Sequence, residues 1–169
     1  MGLISNATTG NITMAATGTI GINTLKFSDT NARTIDVRNS TTQGILRLGS
    51  GSTTSGVTEA GGILIAPGSG ALTIGVAGTP GTISGGSATT NSTGDLIFIN
   101  QSSNAVTVNS IIANNGSGAP ALVNSGSGKV ILAGANTWTG VMYLNSGTLE
   151  VATVNLATAA GPLGKSSAG

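Results

Sequence analysis

The chain contains no cysteine and no histidine. The first absence removes disulfides, thiol nucleophiles and thiolate metal sites together; the second removes the usual general base near neutral pH and the commonest metal ligand. Charge is scarce as well, at 7% of residues with a net of +1, where about 25% is usual. Six Lys and Arg scattered over 169 residues make no basic patch, so nucleic acid and anionic membrane surfaces are not expected partners. Low charge also removes the repulsion that keeps copies apart, which favours self-association. Aromatics are reduced to Phe27, Phe98, Trp138 and Tyr143, few platforms for stacking on sugars. No apolar run approaches the roughly 20 residues of a membrane helix, so no membrane insertion is expected. The first eight residues, Met-Gly-Leu-Ile-Ser-Asn-Ala-Thr, lack the basic and long apolar segments of a signal peptide. Such a peptide is therefore either cleaved or the sequence is a fragment.

What the chain does have is 28 Gly with abundant Ser, Thr and Asn, and a 38% hydrophobic fraction. The apolar residues arrive in short, regularly interrupted runs, which argues against a disordered linker. The glycines keep no three-residue period, which excludes collagen. A series of short strands follows. In chain order they cover 11–14, 19–22, 24–27, 34–37, 45–48, 63–65, 71–74, 82–83, 96–99, 106–108, 111–112, 122–123, 130–132, 141–144 and 149–151. Pro67-Gly68 and Pro80-Gly81 mark turns, because Pro presets the first corner and Gly accepts the second. Stretches 49–62 and 85–94 read as loops. Around residues 33–48, Arg33, Asp36, Arg38 and Arg47 alternate against Ile35, Val37, Leu46 and Leu48. The charges are expected outside, with Asp36 and its flanking arginines forming a solvated cluster, and the aliphatics within.

Strands this short cannot make a core alone, but they can if they stack on similar stretches above and below. Spacing alone also allows a sandwich or jelly roll. Internal repetition favours a solenoid: Gly68–Thr79 aligns without gaps on Gly126–Thr137, with glycine pairs, aliphatics and the terminal Thr coinciding. At roughly 20 to 25 residues per rung and about 4.8 Å between rungs, a solenoid of this length has about seven or eight rungs and runs some 35 to 40 Å.

The stretch Gly126–Val151 carries a more specific pattern. A Gly-x-Gly lead at Gly126 and Gly128 precedes an aliphatic strand. Gly134-Ala135-Asn136-Thr137-Trp138-Thr139-Gly140 comes next, then a second strand, then Gly147-Thr148-Leu149 and a third. This order resembles the passenger-associated transport repeat of bacterial autotransporter passengers, over about one rung and a half. Val141-Met142-Tyr143 stands where that family has small and Thr-rich residues. The resemblance implies an all-β fold, a right-handed parallel β-helix, in a single domain over 1–169 with 152–169 as a closing rung or extended tail. It also implies an extracellular or bacterial cell-surface location. The motif residues Gly126, Gly128, Gly134, Asn136, Thr137, Trp138, Gly140, Gly147, Thr148 and Leu149 are expected to be structural: glycines at corners, and Trp138 at a corner shielding a strand edge.

Catalysis finds little to work with. The carboxylates Asp29, Asp36, Glu59, Asp95 and Glu150 are far apart in sequence, whereas polysaccharide cleavage needs a convergent pair. A Ser or Thr nucleophile would need Lys26, Lys129 or Lys165 as base, and nothing marks any of them. No Asp-rich calcium loop occurs. No enzyme, cofactor or metal is expected. The expected function is structural: a secreted β-solenoid whose open ends associate with copies of itself into a homo-oligomer or filament. The alternative is an adhesin fragment contacting a cell-surface glycan or host protein, and a carbohydrate-active β-helix ranks third.

Overall fold

The computed structural model describes residues 2–4, 12–13, 18–39, 42–49, 59–87, 91–156 and 158–165. Within them the chain contains strands, turns and no helix. The first rung is β1 (Gly2–Ile4), β2 (Ile12–Thr13) and β3 (Thr19–Ile22). The second is β4 (Thr24–Phe27), β5 (Arg33–Asp36), a small hairpin of β6 (Arg38–Asn39) with β7 (Thr42–Gln43), and β8 (Ile45–Leu48). The third is β9 (Gly61–Ile65), β10 (Leu72–Ile74) and β11 (Thr82–Gly85), and the fourth is β12 (Leu96–Asn100), β13 (Val106–Val108) and β14 (Ile111–Ile112). The fifth has β15 (Leu122–Ser125) and β16 (Lys129–Leu132), and the sixth β17 (Met142–Leu144) and β18 (Thr148–Val151).

Apart from the antiparallel hairpin β6–β7, each strand pairs in parallel with its counterparts on the adjoining rungs, giving three faces. Face A runs β1-β4-β9-β12-β15-β17, face B runs β2-β5-β10-β13-β16-β18, and face C runs β3-β8-β11-β14. The protein is a parallel β-helix. Six rungs are visible on faces A and B, against the seven or eight expected from a uniform rung length. Register shows why. The fifth rung advances from Leu122 to Met142, but the second takes the chain from Leu25 to Ile63. Loops inserted at corners lengthen the middle rungs, at an entropy cost that grows only slowly with loop length. Of the expected loop at 49–62, residues 50–58 lie outside the described residues, as do 88–90 of the loop at 85–94 and Asn11 and Met14 of the first expected strand.

Parallel stacking places side chains in columns. One inward column on face B is Ile12, Ile35, Ile74, Val108, Leu132 and Val151. One on face A is Gly2, Leu25, Ile63, Phe98, Asn124 and Leu144. These columns and those of face C fill the interior with a single apolar core. β-Branched residues suit this role, since they pack well on a pleated, half-buried surface. The internal sequence match has a structural meaning, because Leu72 and Val130 occupy one column through Val106, and Ile74 and Leu132 another through Val108. Outside face B, Thr34, Thr73 and Thr107 stack rung on rung.

The expected outward placement of Arg33 does not hold. Arg33 has the same parity as Ile35 and pairs in register with inward Leu72. It is held at the A-to-B corner by the carboxylate of Asp29, which is 1% exposed. The solvated cluster thus reduces to Asp36 and Arg38, joined by two side-chain hydrogen bonds at 2.7 and 2.8 Å. Ile35, Val37, Leu46 and Leu48 are buried as expected.

Corners are stitched by asparagine and serine. Asn100 donates to the carbonyls of Asn104 and, one rung up, Lys129, while its Oδ1 accepts from the Ser102 amide, each at 2.9 Å. Ser102 and Asn104 donate to the Ser69 carbonyl on the rung below. Asn114 exchanges two 2.9 Å bonds with Thr139 one rung above. Corner backbone that lacks ladder partners is thereby satisfied, which a buried polar group requires.

Two predictions follow from this packing. Phe98→Ala, at a position 1% exposed, should destabilise the fold by about 3–5 kcal/mol, whereas Leu144→Ala in the same column, at 55% exposure, should cost under about 1 kcal/mol in the monomer; urea unfolding of both variants checks the contrast. The Asp29 carboxyl is held below its ordinary 3.8 by the Asn31 amide, against burial that pushes it up, with further help from Arg33. Asp36 is lowered by its hydrogen bonds to Arg38, against the opposing effect of burial. Both folded values lie below the unfolded ones, so their stabilisation is complete above about pH 4 and is lost as pH falls through the folded values. Melting temperature should hold from neutral down to about pH 4 and drop below it, with a shallower acid drop in Asp29→Asn.

Candidate functional site

The sixth rung has no strand stacked on it among the described residues. Its pairing below is complete: the Leu122 amide donates to Val141, Asn145 to Asn124, and Thr148 to Gly128. In a parallel strand, successive residues turn their backbone groups to opposite edges. The N–H and C=O groups of Met142, Leu144, Leu149 and Val151 therefore face the open edge. The same four residues point inward, as their register with Leu122, Asn124, Val130 and Leu132 shows. Among the described residues no strand is stacked above them, and Leu144 is 55% exposed although it belongs to a core column. Tyr143 at 51% and Val141 at 57% extend the apolar surface outward.

The opposite end is built alike. β1, β2 and β3 are the outermost strands of their sheets, and Ile12, Ile20 and Ile22 pack against the core while only partly buried. Among the described residues, Ile12, Ile20 and Ile22 on the first rung and Met142, Leu144, Leu149 and Val151 on the sixth are thus the outermost members of their core columns.

The motif residues lie around the fifth and sixth rungs. Gly126 and Gly147 have φ of +91° and +77°, and a Cβ on either would strike backbone of the rung below, so both corners require glycine. Gly128, Gly134 and Gly140 also sit against backbone of the preceding rung. Thr148 and Leu149 open β18, with Leu149 half-buried in the core column. Thr137 is exposed at the face C position. Asn136 is fully buried: its Oδ1 accepts from Ile112 and its Nδ2 donates to Pro162, both at 2.8 Å. Its backbone exchanges two 3.1 Å bonds with Gly161.

Trp138 is 2% exposed, deeper than an edge-shielding corner residue would be. The chain after β18 explains this. Asn155 gathers the loop by donating to the carbonyls of Leu156, Ala159 and Gly164, and Gly164 lies against the Trp138 ring. Lys165 then donates its amide to the Trp138 carbonyl at 2.9 Å. Residues 161–165 thus continue face C over the indole. No local signal beyond Pro162 and Gly164 marks this cover in the sequence, because the contact joins residues more than twenty apart.

Elsewhere, one groove of about 330 Å³ lies on the outer side of face A, lined by Lys26, Gly61, Gly62, Leu64, Ile97 and Ile99 among others. It is aliphatic and backbone-lined, with Lys26 its one ionisable side chain. Three of the five carboxylates are engaged by cations: Asp29 by Arg33, Asp36 by Arg38, and Glu150 by Lys129. Among the described residues, no three acidic groups come together as metal ligands would. No family model, curated protein or solved structure matches the chain.

The single Trp makes the face C cover measurable. Gly164 has φ of +81° and contacts the indole, so Gly164→Ala should cost about 1–2 kcal/mol and lift 161–165 from the ring. The expected readout is tryptophan emission moved to longer wavelength while far-UV circular dichroism stays unchanged.

Proposed function

We propose that this protein is a non-enzymatic extracellular structural protein, a β-solenoid subunit that associates end to end with copies of itself into a surface fibre or matrix. The observation that carries the proposal is the apolar surface of Leu144, Tyr143 and Val141 at the sixth rung, on which no strand is stacked among the described residues. Proteins that remain solitary blunt such edges with charge, proline or a covering segment. Here residues 1–25 contain no charged side chain, and between 130 and 165 the charges are Glu150 and Lys165. Edge and core both gain when a second copy stacks there.

The resemblance of Gly126–Val151 to the autotransporter passenger repeat supports an extracellular or bacterial cell-surface setting. The lack of His and Cys, together with three of the five carboxylates held in ion pairs, favours a non-catalytic role. An adhesin binding a glycan or host protein is the second reading, and it calls for a concave aromatic or polar patch. The face A groove is aliphatic instead, and Tyr143 lies on the sixth rung, beyond β15 from the groove's β12 residues.

Sedimentation and negative-stain microscopy over a wide concentration range test the proposal. Elongated assemblies should appear and lengthen with concentration, and a strictly monomeric protein would overturn it. Leu144→Lys, at an exposed end position, should leave the monomer folded and raise the concentration needed for assembly about tenfold or more, a tenfold change being about 1.4 kcal/mol.

A further inference from the structure

We infer that the face A groove binds one kind of small amphiphile, an unbranched alkyl carboxylate taken up as a monomer, with its chain over Gly62 and its carboxylate at Lys26. Gly62 faces outward, in register with Thr24 on the rung below and Ile97 on the rung above. A Cβ there would strike the Ile97 carbonyl, so the position is held to glycine and the outward column has a gap. Lys26, Leu64 and Ile99 form the neighbouring outward column. The gap becomes a trough between β4 and β12, floored by Gly61 and Gly62 and about 330 Å³ in volume, inside the range of about 300–1,000 Å³ for small-molecule sites. From Ala60 to Leu64 it follows the strand for roughly 13 Å. The trough lies on β4, β9 and β12, so the inference does not rest on self-association.

The bonding around the trough determines what fits it. β9 is paired along both edges, to β4 and to β12, so its backbone groups are taken and no strand can be added there. Thr24 and Lys26 are the polar side chains of the lining, both on β4. A sugar or peptide would bury several polar groups where the lining offers one hydroxyl and one ammonium, leaving the others unpaired at full desolvation cost. Among the described residues no aromatic ring lines the trough for stacking. An alkyl chain has no polar group to satisfy along its length. Its head group meets Lys26, which is half-buried and takes part in no ion pair among the described residues. Asp95 stands outside the lining, beyond the Ala60 end, exposed and with the outward parity of Ile97; its carbonyl accepts from the Gly61 amide. An anionic head group is therefore attracted to the Leu64 end and repelled from the other.

Calorimetric titration of the full chain with sodium decanoate, kept below its micelle concentration, tests the inference. One saturable site per chain is expected, with affinity rising about two- to fourfold per methylene from hexanoate to decanoate. Lys26→Met keeps the apolar stem and should weaken decanoate about three- to fivefold; decyltrimethylammonium should bind the unmodified chain more weakly than decanoate by at least about as much. Thr24→Trp, at an exposed position beside Gly62, should fill the trough and weaken binding about tenfold or more. Leu64→Glu sets a competing carboxylate in register with Lys26 and should do the same, so the test survives if either variant fails to fold by circular dichroism. Absence of saturable decanoate binding, equal affinity for the two head groups, unchanged affinity in Lys26→Met, or undiminished binding in the folded blocking variants overturns the inference. Binding to phosphatidylglycerol vesicles without binding of monomeric decanoate also overturns it, and would make face A a membrane-contacting surface.

Discussion

Every strand in this protein depends on the backbone ladder between rungs. A strand of three to five residues has no stability of its own, and a single rung encloses too little apolar surface to offset the entropy of ordering it. The second rung contributes half of each hydrogen bond and closes one side of the core, and the third does the same for the second. Stability therefore accumulates along the axis as nearest-neighbour terms. Interior rungs receive two such terms and end rungs one, which is why Phe98 is buried while Leu144, in the same column, is half exposed.

That dependence constrains the corners. Rungs repeat at the strand spacing of about 4.8 Å, so corner backbones must approach as closely as strands do, without the regular ladder to pair them. Glycine permits the approach, as at Gly126 and Gly147, where a side chain would enter the backbone below. Asparagine supplies the missing partners, because its amide both donates and accepts. Asn100 and Asn136 each satisfy backbone groups from two places in the chain. A composition rich in Gly and Asn and poor in bulky or charged residues is thus what corner geometry demands. The scarcity of charge that favours self-association and the tight corners have one physical origin.

Strand positions were legible because period-two alternation and turn residues are local signals. The segments 19–22, 24–27, 45–48, 106–108 and 111–112 agree residue for residue with the strands observed, and Pro67-Gly68 forms the expected turn, with Gly68 at φ +76°. What the sequence hid was either too polar, too short or too distant. The hairpin of Arg38–Asn39 with Thr42–Gln43 has no apolar pattern, and Gly2–Ile4 is too short to show one. Rung number was overestimated because corner insertions do not announce which rung they lengthen. Arg33 shares its parity with Ile35, and counting parity alone would have turned it inward; its partner Asp29 is set by a corner that no periodicity describes. The exposure of Leu144 within a core column was not legible, since which strand is outermost among the described residues of a face depends on the register of all the others.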